Sequence, residues 1–180
     1  MEDRKSWLVK DEAVLADLIT LMQLSDAEKA VLVNYQAQAK GVTDEMMDTF
    51  YGRLLKHANT AEYLDGKAER LKHTLSEWFV QLFSGQYDQA YVQSRLKIGR
   101  IHVQIGLPVR YPLAMMDVML HYGHKITAGN EEAQNAFSKL LALDIAIFNQ
   151  SYEDSQLKHL AEMVGNERLA RRLLTQEAAV

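Results

Sequence analysis

Proline occurs only twice in 180 residues, at Pro108 and Pro112, and glycine only nine times. Neither residue sits comfortably inside a helix, so a chain with so few of them is free to run in long helices. Alanine, leucine, glutamine, glutamate and methionine, all good helix formers, are plentiful. The expectation is an all-α domain of ordinary size, with 48% hydrophobic residues to supply a sizeable core.

Composition also excludes several kinds of chemistry. Without cysteine there is no disulfide, thiolate zinc site, iron–sulfur cluster or cysteine nucleophile. A formal net charge of -4 gives no electrostatic reason to expect nucleic acid or an anionic membrane. The opening MEDRKSWLVKDE is too charged for a secretory signal, and no apolar run approaches a membrane span. The reading is a cytoplasmic, soluble protein with neither nucleic acid nor membrane as partner.

Punctuation divides the chain. An apolar stripe of Val14, Leu15, Leu18, Ile19 and Met22 marks a first helix. Ser25-Asp26-Ala27-Glu28 is a capping box, predicting a helix that runs to Lys40 and stops at Gly41. Thr43 is expected to cap the next helix, whose inner face is Met46, Met47, Phe50, Leu54 and Leu55, with Tyr51 on its border. Leu71, Leu75, Trp78, Phe79 and Leu82 make another, ended by Gly85. A helix from about Tyr87 to Ile105 is closed by Gly106 and Pro108. After Pro112, Leu113, Met116, Met119 and Leu120 lead to a stop near Gly129, and Asn130 opens a long helix through Phe137, Leu140, Leu141, Ile145 and Phe148. The tail stays helical in composition, with a break at Gly165-Asn166.

One residue does not suit its helix. Ile98, Ile101 and Ile105 have the spacing of one buried face, and His102 falls on that face. A core histidine with satisfied nitrogens is one reading. The other is a ligand. His102 lies in the last turn before Gly106, and the carbonyl of Ile98, one turn earlier, suits its Nδ1 proton. That would fix the tautomer and leave Nε2 as a free lone pair, as metal-ligating histidines require. Gly99 would leave room for something flat, and a neutral imidazole facing an apolar slot suits haem iron. No second histidine or carboxylate follows at i+3 or i+4 to complete an all-protein metal site. No G-x-S-x-G turn supports a serine hydrolase, and no glycine loop supports phosphate binding. His57, His73 and His159 stand in polar surroundings, and His121 and His124 suit a partly exposed helix edge.

At this point the sequence resembles a known family. KIGRIHVQIGLPVRYPLAMM is similar to the F-to-G region of the globin-coupled sensors, through Ile98-Gly99, His102-Val103, Gly106-Leu107-Pro108 and Tyr111. DTFYGRLL resembles their B helix with its tyrosine at Tyr51, and LKHTLSEWFVQLFSG their E helix with Trp78. The three matches stand in the family's order, and the resemblance spans roughly residues 10–155. It implies a globin fold with an extra N-terminal helix and a C-terminal signalling helix, lacking a well-formed D helix. It implies haem b (iron protoporphyrin IX), with His102 as the metal ligand and Tyr51 over the other face of the iron. Phe50, Leu71, Leu75, Ile98 and Tyr111 are the remaining expected cofactor contacts. His73 lies two residues from Leu71, about 200° around a helix, so both cannot face the haem. The pocket is assigned to Leu71, which shares a stripe with Leu75 and Trp78. Lys97, Arg100 and Arg95 are basic residues near the F helix that would suit the propionates.

The resemblance also implies a function: sensing of O2, with CO and NO as further ligands, rather than catalysis. Residues 1–155 would be the haem-binding sensor domain and 156–180 a helical linker toward an output domain or a dimer partner. A homodimer would form through the last two core helices. Met115, Met116, Met119 and Met163 suit such an adaptable surface, or equally core packing, and Leu157, Leu160, Val164, Leu169 and Leu173 make an irregular apolar stripe in the tail. The output module of a longer parent would be a diguanylate cyclase or a chemotaxis transducer. Three alternatives are weighed against this. A haem-free globin-fold interaction module would lack a usable His102. A peroxidase would need an inward-facing acid–base histidine with an arginine. A plain oxygen store would not need the added helix and tail.

Overall fold

The computed structural model describes residues 5–9, 12–64 and 66–175. Within them, a single 3-10 turn, Lys5–Leu8, precedes eleven α-helices, and no strand occurs among the described residues. The helices are α1 (Glu12–Met22), α2 (Asp26–Val33), α3 (Gln36–Gly41), α4 (Thr43–Lys56), α5 (Ala58–Ala61), α6 (Ala68–Gln81), α7 (Gln89–Gln104), α8 (Arg110–Ala114), α9 (Met116–Ile126), α10 (Glu131–Val164) and α11 (Glu167–Leu174).

Local chemistry sets the boundaries. Ser25 Oγ accepts from the Glu28 amide at 3.2 Å, and the Glu28 carboxylate accepts from the Ser25 amide at 2.8 Å. This reciprocal pair starts α2. Asp88 caps α7 through the Tyr91 amide, and Asn130 caps α10 through the Ala133 amide. Gly165 takes the left-handed conformation (φ 71°) that ends α10, and Asn166 at once caps α11 through the Leu169 amide.

Three local expectations are corrected. The helix from the capping box does not run unbroken to Lys40. It divides at Tyr35 (φ -106°, ψ 3°), whose ring packs on the edge of the core. Nor does Thr43 cap α4. Val42 is already helical, and the Thr43 hydroxyl donates back to the Lys40 carbonyl at 2.9 Å. Leu55 also leaves the inner face of α4 and is 54% exposed. It stands one residue, about 100°, beyond Leu54.

The long α10 organises the core, packing against α1, α2, α7, α9 and α11, while α4 packs against α6 and α9. Phe79, Phe83 and Phe137 are fully buried, with Phe83 and Phe137 stacked at 5.3 Å. Met115 and Met119 are core side chains rather than parts of an adaptable surface, whereas Met163 stands exposed. Residue 155 lies inside α10, which continues to Val164. Beyond Gly165, α11 turns back along α10, bringing Arg171 and Leu174 beside Gln150 and Leu157 and burying Ala170. No helix among the described residues is long and apolar enough to cross a membrane.

Candidate functional site

Side chains of α4, α6, α7, α8 and α10, with the segments joining them, enclose a largely apolar cavity of about 220 Å3. Phe50, Tyr51, Leu71, Leu75, Ile98, His102 and Tyr111 all line it. Seven residues drawn from residues 50–111 thus meet at one place. The isoleucine stripe of α7 is not a buried core face, as its spacing alone suggests. Ile101 and Ile105 are 46% and 47% exposed and border the cavity with Ile98. Helical spacing reports a shared face and says nothing of whether a helix or a hollow lies opposite.

His102 is positioned from both sides. Its Nδ1 lies 2.8 Å from the carbonyl of Ile98, so the proton sits on Nδ1 and Nε2 keeps its lone pair. Nε2 has no hydrogen-bond partner among the described residues. The ring meets Phe148 of α10 edge-to-face, with centroids 5.3 Å apart. Burial holds the imidazole pKa below its usual value, so it is neutral at physiological pH. A neutral, tautomer-fixed imidazole aimed into an apolar cavity is a ligand for a soft or borderline metal centre. Among the described residues no three histidine, aspartate or glutamate side chains gather to hold a metal on their own.

Tyr51 supplies the cavity with a polar group from α4. It is 5% exposed, its hydroxyl makes no hydrogen bond to a described residue, and burial pushes its phenol well up. It stays a neutral donor at any physiological pH. Tyr111 stands beside the Arg110 guanidinium, which donates to its hydroxyl at 3.4 Å and holds that phenol below the usual range. Tyr63 closes on the end of α7 by donating to the Gly106 carbonyl at 3.3 Å. His73 points away from the cavity, its side chain 76% exposed beside Glu77.

Two residues near His102 do something other than expected. Gly99 does not make room on the cavity side. A Cβ there would lie 2.6 Å from both Cβ and Oγ of Ser151 and 2.8 Å from the carbonyl of Phe148, so this glycine lets α7 and α10 approach. Arg95 is 1% exposed and paired with Asp144 of α10 at 2.8 Å, so it is not a surface cation. Lys97 and Arg100 remain exposed on α7. Sequence reasoning missed Phe148 as the packing partner of His102, and Asp144 altogether. Asp144 carried a signal: it is the lone charge in the apolar run LLALDIAIF.

A helical fold whose described residues enclose an apolar cavity, with a neutral histidine from one helix and a phenol from another, matches the class of the globins. Residues 11–158 match the Protoglobin family, and the chain belongs to it. It is 27% identical over 173 residues to the heme-based aerotactic transducer HemAT of Halobacterium salinarum, an alignment covering 86% of this chain and 35% of that protein. The chain thus spans about a third of the length of that curated relative. Its fold is similar to the globin domain of the Geobacter sulfurreducens globin-coupled sensor, with TM-score 0.72 and 29% identity over 76% of this chain and 96% of that domain. These likenesses identify a globin-coupled sensor domain with a globin fold.

Proposed function

We propose that the cavity holds haem b, whose iron His102 Nε2 would bind, and that the domain senses a diatomic gas, O2 foremost and CO and NO besides. The observation that carries the reading is the pairing of His102, tautomer fixed and Nε2 open to the cavity, with the unpartnered hydroxyl of Tyr51. Support also comes from the relative named as a heme-based aerotactic transducer.

The residues present fit the group. Its apolar faces suit the lining of Leu71, Leu75, Ile98, Ile101 and Phe50, and its iron suits the Nε2 lone pair. Haem in this place would supply a ferrous centre able to bind a diatomic gas reversibly. The protein's own part is threefold. Ile98 and Phe148 hold the imidazole plane, so that Nε2 faces one direction. The Tyr51 hydroxyl would donate a hydrogen bond to the polar end of a bound gas, a bond worth about 1.5–3 kcal/mol when the acceptor is charged. Leu71 and Leu75 keep water away from the site.

In this reading the ligand state biases the helices that carry these groups, by no more than its differential affinity for the two states. The signal then passes through a cytoplasmic homodimer formed by α9 and α10 to a diguanylate cyclase or chemotaxis-type output module. Exposed Leu120 on α9 and Met163 on α10 suit such an interface. The test is the visible spectrum of the purified protein, reduced with dithionite and then given oxygen or carbon monoxide. Ligand-dependent haem bands, abolished or altered in His102→Ala and restored by free imidazole, are expected. A colourless protein that takes up no added haemin would remove the reading.

A further inference from the structure

Asp144 lies 2% exposed on α10 with apolar residues on either side in the chain. Its Oδ2 accepts from Trp78 Nε1 at 2.8 Å, and its Oδ1 accepts from Arg95 Nε at 2.8 Å and from the Tyr91 hydroxyl. Arg95 also donates to Gln81 Oε1 and to the Trp78 carbonyl, and its guanidinium carbon sits 3.7 Å from the centre of the Tyr91 ring. Burial, with Asp144 beside it, pushes the Tyr91 phenol well up, so it remains a donor. Every side-chain nitrogen and oxygen sealed from both solvent and the cavity has a partner among the described residues.

A buried ion pair is weak evidence of stability, because the loss of hydration offsets the attraction. What this one contributes is direction. Arg95 and His102 are seven residues apart, two turns of α7, and within about 20° of the same bearing. Asp144, Phe148 and Ser151 stand at i, i+4 and i+7 on α10 and meet α7 over those two turns. Asp144 takes Arg95, Ser151 and the Phe148 carbonyl crowd Gly99, Ser151 Oγ donates to the Leu96 carbonyl at 2.9 Å, and the Phe148 ring meets His102. Trp78 belongs to α6, on the same stripe as Leu71 and Leu75. Asp144 therefore bonds at once to the wall that carries His102 and to the wall that carries the two leucines.

We propose that Asp144 is a positioning residue. Through Arg95 it fixes the rotation of α7, and so the direction of His102 Nε2, and through Trp78 it ties that setting to α6. The proposal rests on reading the cavity as a haem site, but the setting of the imidazole is a property of the protein alone. Without the carboxylate, Arg95 keeps a charge it cannot bury, α7 shifts to release it, and the His102 ring leaves its place against Phe148.

The test uses the full chain and three variants. Asp144→Asn keeps the shape and the Trp78 bond while removing the charge opposite Arg95. Arg95→Met with Asp144→Leu removes both charges together, so neither is stranded if the single variant fails to fold. Trp78→Phe cuts only the α6 arm. The first readout is the set of His102 ring cross-peaks in a 13C spectrum of haem-free protein, assigned by His102→Gln, with the indole N–H signals of Trp7 and Trp78 alongside. The second is the iron–histidine stretching band of the ferrous haem-loaded protein. Asp144→Asn and the double variant are expected to shift the His102 cross-peaks and the iron–histidine band, while Arg100→Gln, an exposed change on the same helix, moves neither. Trp78→Phe should shift the same signals by less. Folded Asp144 variants whose His102 cross-peaks coincide with those of the parent would overturn the proposal. If the parent binds no haem, the haem reading fails, and the cross-peaks still decide whether Asp144 sets His102.

Discussion

Gly99→Ala tests how α7 and α10 meet. On an open helix face the change removes a flexible residue and stabilises by about 1 kcal/mol. Here the new methyl would lie 2.6 Å from Ser151 Cβ and Oγ and 2.8 Å from the Phe148 carbonyl oxygen. Ser151 Cβ and the Phe148 carbonyl are fixed by the backbone, and Ser151 Oγ is held by its bond to the Leu96 carbonyl, so the helices must separate. Overpacking of this kind costs about 1–3 kcal/mol, and contacts this short place it at the upper end. Set against the propensity gain, the net loss is about 2 kcal/mol, or roughly 4–8 °C in Tm for a domain of this size. Urea unfolding and thermal melts of haem-free protein, followed by helical circular dichroism, measure it. Combining the change with Ser151→Gly, which removes two of the three clashing atoms, should recover part of the loss, with a coupling above about 0.5 kcal/mol. The two pictures of Gly99 differ in sign. A variant as stable as the parent, or more stable, would show that Gly99 borders open space and that the α7–α10 contact is wrongly placed.

Other substitutions probe the remaining links. Tyr51→Phe should speed oxygen dissociation by about one to two decades in stopped-flow measurements, the loss of one hydrogen bond to a charged acceptor. An unchanged rate would exclude Tyr51 as the donor. His102→Gln should flatten the pH dependence of stability in haem-free protein. The unfolded chain takes a proton on this residue as pH falls through the usual value of 6.5, while the buried ring resists it. The unfolded state therefore holds more protons, and the contribution of His102 is present above that value and lost below it. Urea unfolding at several acid and neutral pH values should give parallel curves for parent and variant if the ring is not buried as described. Ser25→Ala should cost about 1 kcal/mol by removing half of the capping box, whose Glu28 also pairs with Lys139 of α10 at 2.7 Å. A melting temperature equal to the parent's would count against that pairing.

Much of this protein was legible in order along the chain. Ser25 with Glu28, Asn130 and Gly165 act within three or four residues of themselves, so the boundaries they set follow from local chemistry. The bond from His102 to the Ile98 carbonyl spans one helical turn, and for the same reason it could be read before any fold was known. Where a competing local arrangement won, as at Tyr35 and Thr43, the prediction failed by a turn of helix and no more. What the sequence could not reveal lies across helices. An isoleucine stripe looks the same whether it faces a helix or a hollow, so Ile101 and Ile105 read as core until the positions of α4 and α6 made them a wall. Gly99 read as space, and only the approach of α10 showed that the space is already taken by Ser151 and Phe148. Arg95 read as a surface cation because its partner, Asp144, stands 49 residues away. Sequence determines which residues share a face, since the helical period is a property of the backbone. Which faces meet is decided by packing, through the burial of side chains far apart in the chain, and that is where the setting of His102 was made.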